Sequence, residues 1–207
     1  MPLRSAPLPR MAGHLSFMRS QPKAIGDVTS DQLAVLGLPF EDTSAPFAGQ
    51  SLAPRALRET SVYFGWHANP QFSHPVDIDA RQDIQTDGLH ERLCDLGDIA
   101  PGSEEAIHAA LMTATCQINR VGACALLLGG SDRLSVTVQN ALQGCQTVQL
   151  GGTPCDARDF HIAPLPNGSA TICNSDTAAQ LAGFSQWRDA SKPLFVRFDL
   201  SVFETSL

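Results

Sequence analysis

"LLLGGSDRLS", residues 126–135, decides the fold. An apolar run stops at two glycines, and a short polar patch opens a helical pattern. A strand that turns straight into a helix is the junction of an α/β sheet, and ligands sit at the carboxyl ends of such strands. Working outward, "LAVLGLPF" (33–40), "RLCDLGDI" (92–99), "TVQLGG" (147–152) and "PLFVRFDLSVF" (193–203) are further short apolar runs that read as buried strands. Helical patterns lie between them. "SEEAIHAALMTATCQINRVG" offers Ser103 as N-cap, Glu104 and Glu105 in the first turn, and Ile107, Leu111, Ala114 and Ile118 at helical spacing. Gly122 marks its end. "APRALRETSVYF" (53–64) carries Pro54 near a first helical position. "SDRLSVTVQNALQG" (131–144) and "TAAQLAGFSQWRDA" (177–190) complete the set. Strands alternating with helices predict a three-layer α/β/α fold around a mainly parallel sheet. Segments 65–91 and 154–176 read as excursion loops.

The chain has 207 residues, 43% of them hydrophobic, enough for one domain with a full core. A loose, Pro-rich arm is expected over residues 1–30. The net charge of −7 argues against nucleic acid or an anionic membrane as partner. No apolar stretch approaches the roughly 18–20 residues of a membrane span, and no signal-peptide core follows Arg4 and Arg10. The six cysteines form no CxxC pair, which suits reduced thiols in a cytoplasm.

The stretch "GLPFEDTSAPFAGQSLAPRALRETSVYF" (37–64) is more particular. It resembles the ureohydrolase family of arginases, agmatinases and guanidino-acid amidinohydrolases, whose G-[IV]-P-[FW] strand leads through a glycine-containing loop to G-P-x-x-[IL]-R. "SFMRSQP" (16–22) looks like the opening of agmatinase-like members, and "CDLGDI" (94–99) is similar to the family's D-x-G-D. The resemblance implies an arginase-like fold and hydrolysis of a guanidinium group to urea. It also implies two manganese ions held by three motifs: G-G-D-H-S, D-A-H-x-D and S-x-D-x-D.

Mapped residue by residue, those motifs are degenerate here. In "LGGSDRLS", Asp132 stands at the histidine position, or with a one-residue slip at the aspartate position with Arg133 in place of histidine. Arginine has no lone pair to give a metal. In "LGGTPCD", Gly151, Thr153 and Cys155 occupy the three ligand positions. In "RFDLSVFE", Asp199 is kept, Ser201 replaces the second aspartate, and Glu204 stands at a third acidic position. Residual ligands, if there are any, would be Asp132, Asp199 and His161. His161 otherwise reads as a loop residue, and His108 as the surface of its helix.

The resulting expectation is a metal-free pseudoenzyme of the agmatinase-like branch. It would need no cofactor and would associate with itself or with a family homologue. The alternatives are a guanidino-compound hydrolase with an altered manganese site, and a non-functional remnant or fragment. The resemblance also makes the chain short at its C-terminus, with an open sheet edge. Three further expectations follow from the residues. Arg133 reaches into the former metal site and pairs with Asp199 or Asp132, since a leftover buried carboxylate requires a cation. Arg55 and Arg58 serve structure rather than substrate. Cys155 has no adjacent base and is no nucleophile.

Overall fold

A computed structural model describes residues 15–44, 48–62, 76–77, 82–83, 88–129, 131, 133–150, 160–162 and 183–198. In chain order the elements are β1 (Gln21–Pro22), β2 (Leu33–Gly37), α1 (Ala53–Ser61), β3 (Val76–Asp77), β4 (Gln82–Asp83), α2 (Leu89–Arg92), β5 (Leu93–Asp98) and α3 (Glu104–Arg120). They continue with β6 (Cys124–Leu128), α4 (Arg133–Ala141), β7 (Gln146–Leu150), β8 (Phe160–Ile162) and β9 (Leu194–Phe198). Every expected strand and the first three expected helices form. In the region 177–190, residues 183–187 are helical. The chain gathers into two compact units, Met1–Val138 and Gln139–Leu207.

The first unit holds a parallel sheet of order β1-β5-β2-β6. Side chains alternate across a strand, so each face has its own set. Leu33, Val35, Leu93, Leu126 and Leu128 fall on one face, where Leu57 of α1 packs. Ala34, Cys94, Leu96 and Ala125 fall on the other, where Ile118 of α3 packs. A helix on each face makes the three layers. Helix α3 buries Ile107, Leu111, Ala114, Thr115 and Ile118, and Ser103 caps it by accepting the Ala106 N–H. The second unit holds a parallel sheet of order β8-β7-β9.

Three sequence expectations change. Within the supposed loose arm, residues 15–28 are folded: Gln21 and Pro22 pair with Cys94 and Asp95, and Val28 is buried in the core. The excursion at 65–91 contains the small antiparallel pair β3–β4. His161 lies in β8, paired with Gln149 of β7, and not in a loop. Three residues bounded by proline-rich sequence carry too little periodicity to signal a strand; their pairing partner makes them one.

Candidate functional site

The carboxyl ends of β2 and β6 bring together a line of polar side chains. Beyond β2 the chain carries Glu41 and Asp42. The Glu41 carboxylate accepts the Ser51 N–H at 3.0 Å, the Ser51 hydroxyl at 2.8 Å and the Gly49 N–H at 2.7 Å. Led by the Ser51 backbone, these bonds hold its pKa below the ordinary carboxylate value and close the 41–51 loop onto the approach to α1. Asp42 is buried. It accepts the Ser44 hydroxyl at 2.6 Å and the Ser44 N–H at 2.9 Å on one oxygen, and the Ser131 hydroxyl at 3.0 Å on the other. The Ser44 bonds outweigh burial and keep its carboxyl below the usual range, helped by Ser131 and the nearby Arg133 charge.

Beyond β6, Gly129 adopts φ +76°, and a Cβ there would lie 2.7 Å from Pro54 Cδ. Glycine lets the strand end pass close to the start of α1. Ser131 then binds the start of α4: its hydroxyl accepts the Arg133 N–H at 3.3 Å while donating to Asp42. The Arg133 guanidinium lies 2.5 Å from Glu104 Oε1 and 3.8 Å from Asp42 Oδ1. Glu104 is also 3.6 Å from His108 Nε2, and His108 Nδ1 is hydrogen-bonded to the Thr137 hydroxyl. Phe40 meets the His108 ring edge-on, with centroids 6.4 Å apart. The order is therefore Asp42, Arg133, Glu104, His108, Thr137.

This line joins strand ends and helices through ion pairs. Thr137, His108 and Glu104 have the sequence of nucleophile, base and orienting acid, but Thr137 is only 6% exposed. Among the described residues no group of three His, Cys, Asp or Glu side chains is placed to hold a metal ion.

A second cluster explains the D-x-G-D stretch. β5 pairs with β2 as Val35↔Asp95 and then Gly37↔Asp98, so β5 carries one extra residue, with Gly97 at φ +79°. Such a bulge re-aims the residue after it. Asp95 already faces α1, and the bulge brings Asp98 to the same arginine. Arg58 of α1 donates from Nε and Nη2 to the two Asp95 oxygens at 2.8 and 2.9 Å, from Nη1 to Asp98 at 2.5 Å, and from Nη2 to the Gly97 carbonyl at 2.9 Å. Burial pushes the Asp95 pKa up, but the bonds from Arg58, Phe17 N–H and Gly97 N–H outweigh it, and the net shift is down. A Cβ on Gly37 would collide with the Asp98 carboxylate, so β2 must be bare there. Arg58 thus has the structural role expected of it. Arg55 pairs with Glu59 on the surface at 2.8 Å.

Of the residues singled out from sequence, Asp132, Gly151, Thr153, Cys155, Asp199, Ser201 and Glu204 lie outside the described residues. Arg133 is described, and among the described residues its partners are Glu104 and Asp42; the expected carboxylates, Asp132 and Asp199, lie outside the described residues. The Arg133 side chain is 51% exposed, because the first turn of α4 points it across to the start of α3. His108 is half-buried against Thr137 and Phe40, not a surface residue. Sequence reasoning passed over Asp42. Two adjacent acids directly after the apolar run 33–40, which closes in Pro-Phe, were the available signal. It also gave Glu104 only a role at the helix dipole.

A sequence model described as the arginase family matches residues 31–151, from β2 through β7. A comparison with the curated proteins finds no match. Among solved structures, a hypothetical agmatinase from Burkholderia thailandensis superposes with a TM-score of 0.63 at 17% identity, over 93% of this chain and 70% of that one. The proclavaminate amidino hydrolase of Streptomyces clavuligerus gives a TM-score of 0.53 at 23% identity, over 69% of this chain and 45% of that one. A formiminoglutamase variant from Trypanosoma cruzi, in a structure with manganese, gives 0.52 at 15% identity, over 82% and 70%. These likenesses show the arginase-like α/β fold. The family match spans more than half of the 207 residues and takes in both strand ends and the Arg58 cluster; the chain belongs to the arginase family.

Proposed function

We propose that this chain is a metal-free member of the arginase family that acts as a binding or regulatory partner, with a second copy or a family homologue as its associate. The observation that carries this reading is the donor set beyond β7. "LGGTPCD" (150–156) puts Gly151, Thr153 and Cys155 where the family pattern has two aspartates and a histidine. Manganese takes carboxylate, carbonyl and water oxygens, with imidazole. Glycine offers no side-chain donor and threonine only a neutral hydroxyl, so this set does not fit a manganese pair.

A second reading is a guanidino-compound hydrolase that releases urea, with one metal held by Asp132, Asp199 and His161. The register Gln149↔His161 favours it, since residue 161 lies on the strand beside β7.

One experiment separates the two. The full-length protein is incubated with manganese, desalted and analysed for metal, then assayed for urea release from agmatine, arginine and guanidinobutyrate. Neither retained metal nor urea is expected. A content of about two metals per chain, as in two-metal hydrolytic sites, with urea release would overturn the proposal. One metal with urea release would establish the second reading.

A further inference from the structure

Glu41 and Asp42 are consecutive residues whose carboxylates hold different helices. Glu41 accepts the Gly49 N–H on Oε1, and the Ser51 N–H and hydroxyl on Oε2, all on the approach to α1. Asp42 accepts the Ser131 hydroxyl on Oδ2, and its Oδ1 lies 3.8 Å from the guanidinium of Arg133, the first residue of α4. Through Arg133 the same tie reaches Glu104, the first residue of α3. Helices α1 and α3 pack on opposite faces of the first sheet. One dipeptide beyond β2 therefore holds helix starts from both faces.

The two carboxylates are not free to move separately. The peptide group between them is planar and stiff, and keeps the two Cα atoms about 3.8 Å apart. Glu41 has torsions of its own, but three bonds shared over its two oxygens fix the carboxylate plane. Two of those donors, and the Ser44 N–H on Asp42 at 2.9 Å, belong to the backbone and cannot turn to follow. A hydrogen bond is gone once its heavy atoms separate to about 3.6 Å. A shift of about an ångström at residue 42 thus breaks bonds at residue 41 as well.

We propose that the Glu41–Asp42 dipeptide is a mechanical link between the starts of α1 and α4, so that release at one end loosens the other while the sheet beneath stays paired. The link crosses the carboxyl ends of β2 and β6. A partner or ligand that drew Ser131 or Arg133 away would therefore be felt on the approach to α1. Coupling of this kind is reciprocal, and segments that open together exchange their amides as one unit.

Amide hydrogen exchange on the full chain tests this. Ser131→Ala removes the hydroxyl bonded to Asp42, and the reporters are the Gly49 and Ser51 amides bonded to Glu41. Their exchange should rise about two- to tenfold, the range for one net hydrogen bond lost, with 34–36 in β2 unchanged. Ser51→Ala, made at the other end, should raise exchange at the Arg133 and Leu134 amides by a similar factor. Each variant stands as a test without the other. Acceleration confined to 133–134 in Ser131→Ala, or to 49–51 in Ser51→Ala, would overturn the proposal. So would an equal rise at 34–36, which marks a loss of global stability and not a link.

Discussion

Arg58 is the side chain on which the first unit turns. It is 4% exposed, and both Asp95 oxygens, one Asp98 oxygen and a carbonyl accept from it. Removing one partner of a buried pair leaves the other charged and desolvated. Arg58→Ala should therefore lower unfolding free energy by about 3–5 kcal/mol, read by urea denaturation at pH 7; a loss below about 1 kcal/mol, the surface-pair range, would refute the buried clamp. Asp95 also gives the fold a pH dependence. Its folded pKa lies below the unfolded value of about 3.9. Its contribution is therefore complete above that value and is lost as pH falls through the folded pKa. Arg58 stays protonated throughout and adds no slope. The parent should lose stability on acidification below about pH 4, and Asp95→Asn, though weaker at pH 7, should lose less over the same interval. Identical acid slopes in the two proteins would assign the loss to other carboxylates.

At the scale of elements, the informative contact joins the start of α3 to the start of α4. Sequence chemistry put Arg133 in a buried pair with Asp132 or Asp199. Among the described residues its partners are Glu104 and Asp42, and its side chain is half-exposed, not buried. An exposed pair gains little because water and salt screen it and both side chains lose freedom. Arg133→Ala should cost less than about 1 kcal/mol, and the coupling energy with Glu104→Gln in a double-mutant cycle should be of the same size. A loss of about 3–5 kcal/mol would restore the buried reading. Strands and helices were legible because their apolar spacing is local: every residue expected on the buried stripe of α3 is buried there. The weaker cases were β1, β3, β4 and β8, each two or three residues long, which are strands by virtue of their neighbours alone.

At the scale of the molecule, association is the property to test. In the second unit, β9 stands at the end of the strand order among the described residues, with Leu194 37% and Val196 43% exposed. Residues two apart on a strand share a face, so the two form one apolar strip, while Arg197 between Val196 and Phe198 is buried. An edge with exposed apolar residues is a site of chain–chain pairing unless charge blunts it. The parent should self-associate in light scattering with a mass above that of one 22.1 kDa chain. The double substitution Leu194→Lys with Val196→Lys should shift it toward monomer. A parent that is monodisperse as a monomer at all concentrations would remove this support for a partner role unless it binds a family homologue. Among the described residues no helix is long and apolar enough to cross a membrane.

The amino-acid sequence by itself determined the alternation of strands and helices and the resemblance of residues 37–64 to the arginase family. Those properties are local: periodicity, turn residues and side-chain chemistry can be read within a short window. Only the tertiary structure decided which charges meet. Ser131 and Asp42 are 89 residues apart in the chain, and Arg58 and Asp95 are 37 apart. Sheet register and the bulge at Gly97 bring both aspartates of "DLGD" to one arginine, and the packing of α4 beside α3 turns Arg133 toward Glu104. A charge finds its partner through the strand order and helix faces around it, and these are settled only when the whole sheet has formed.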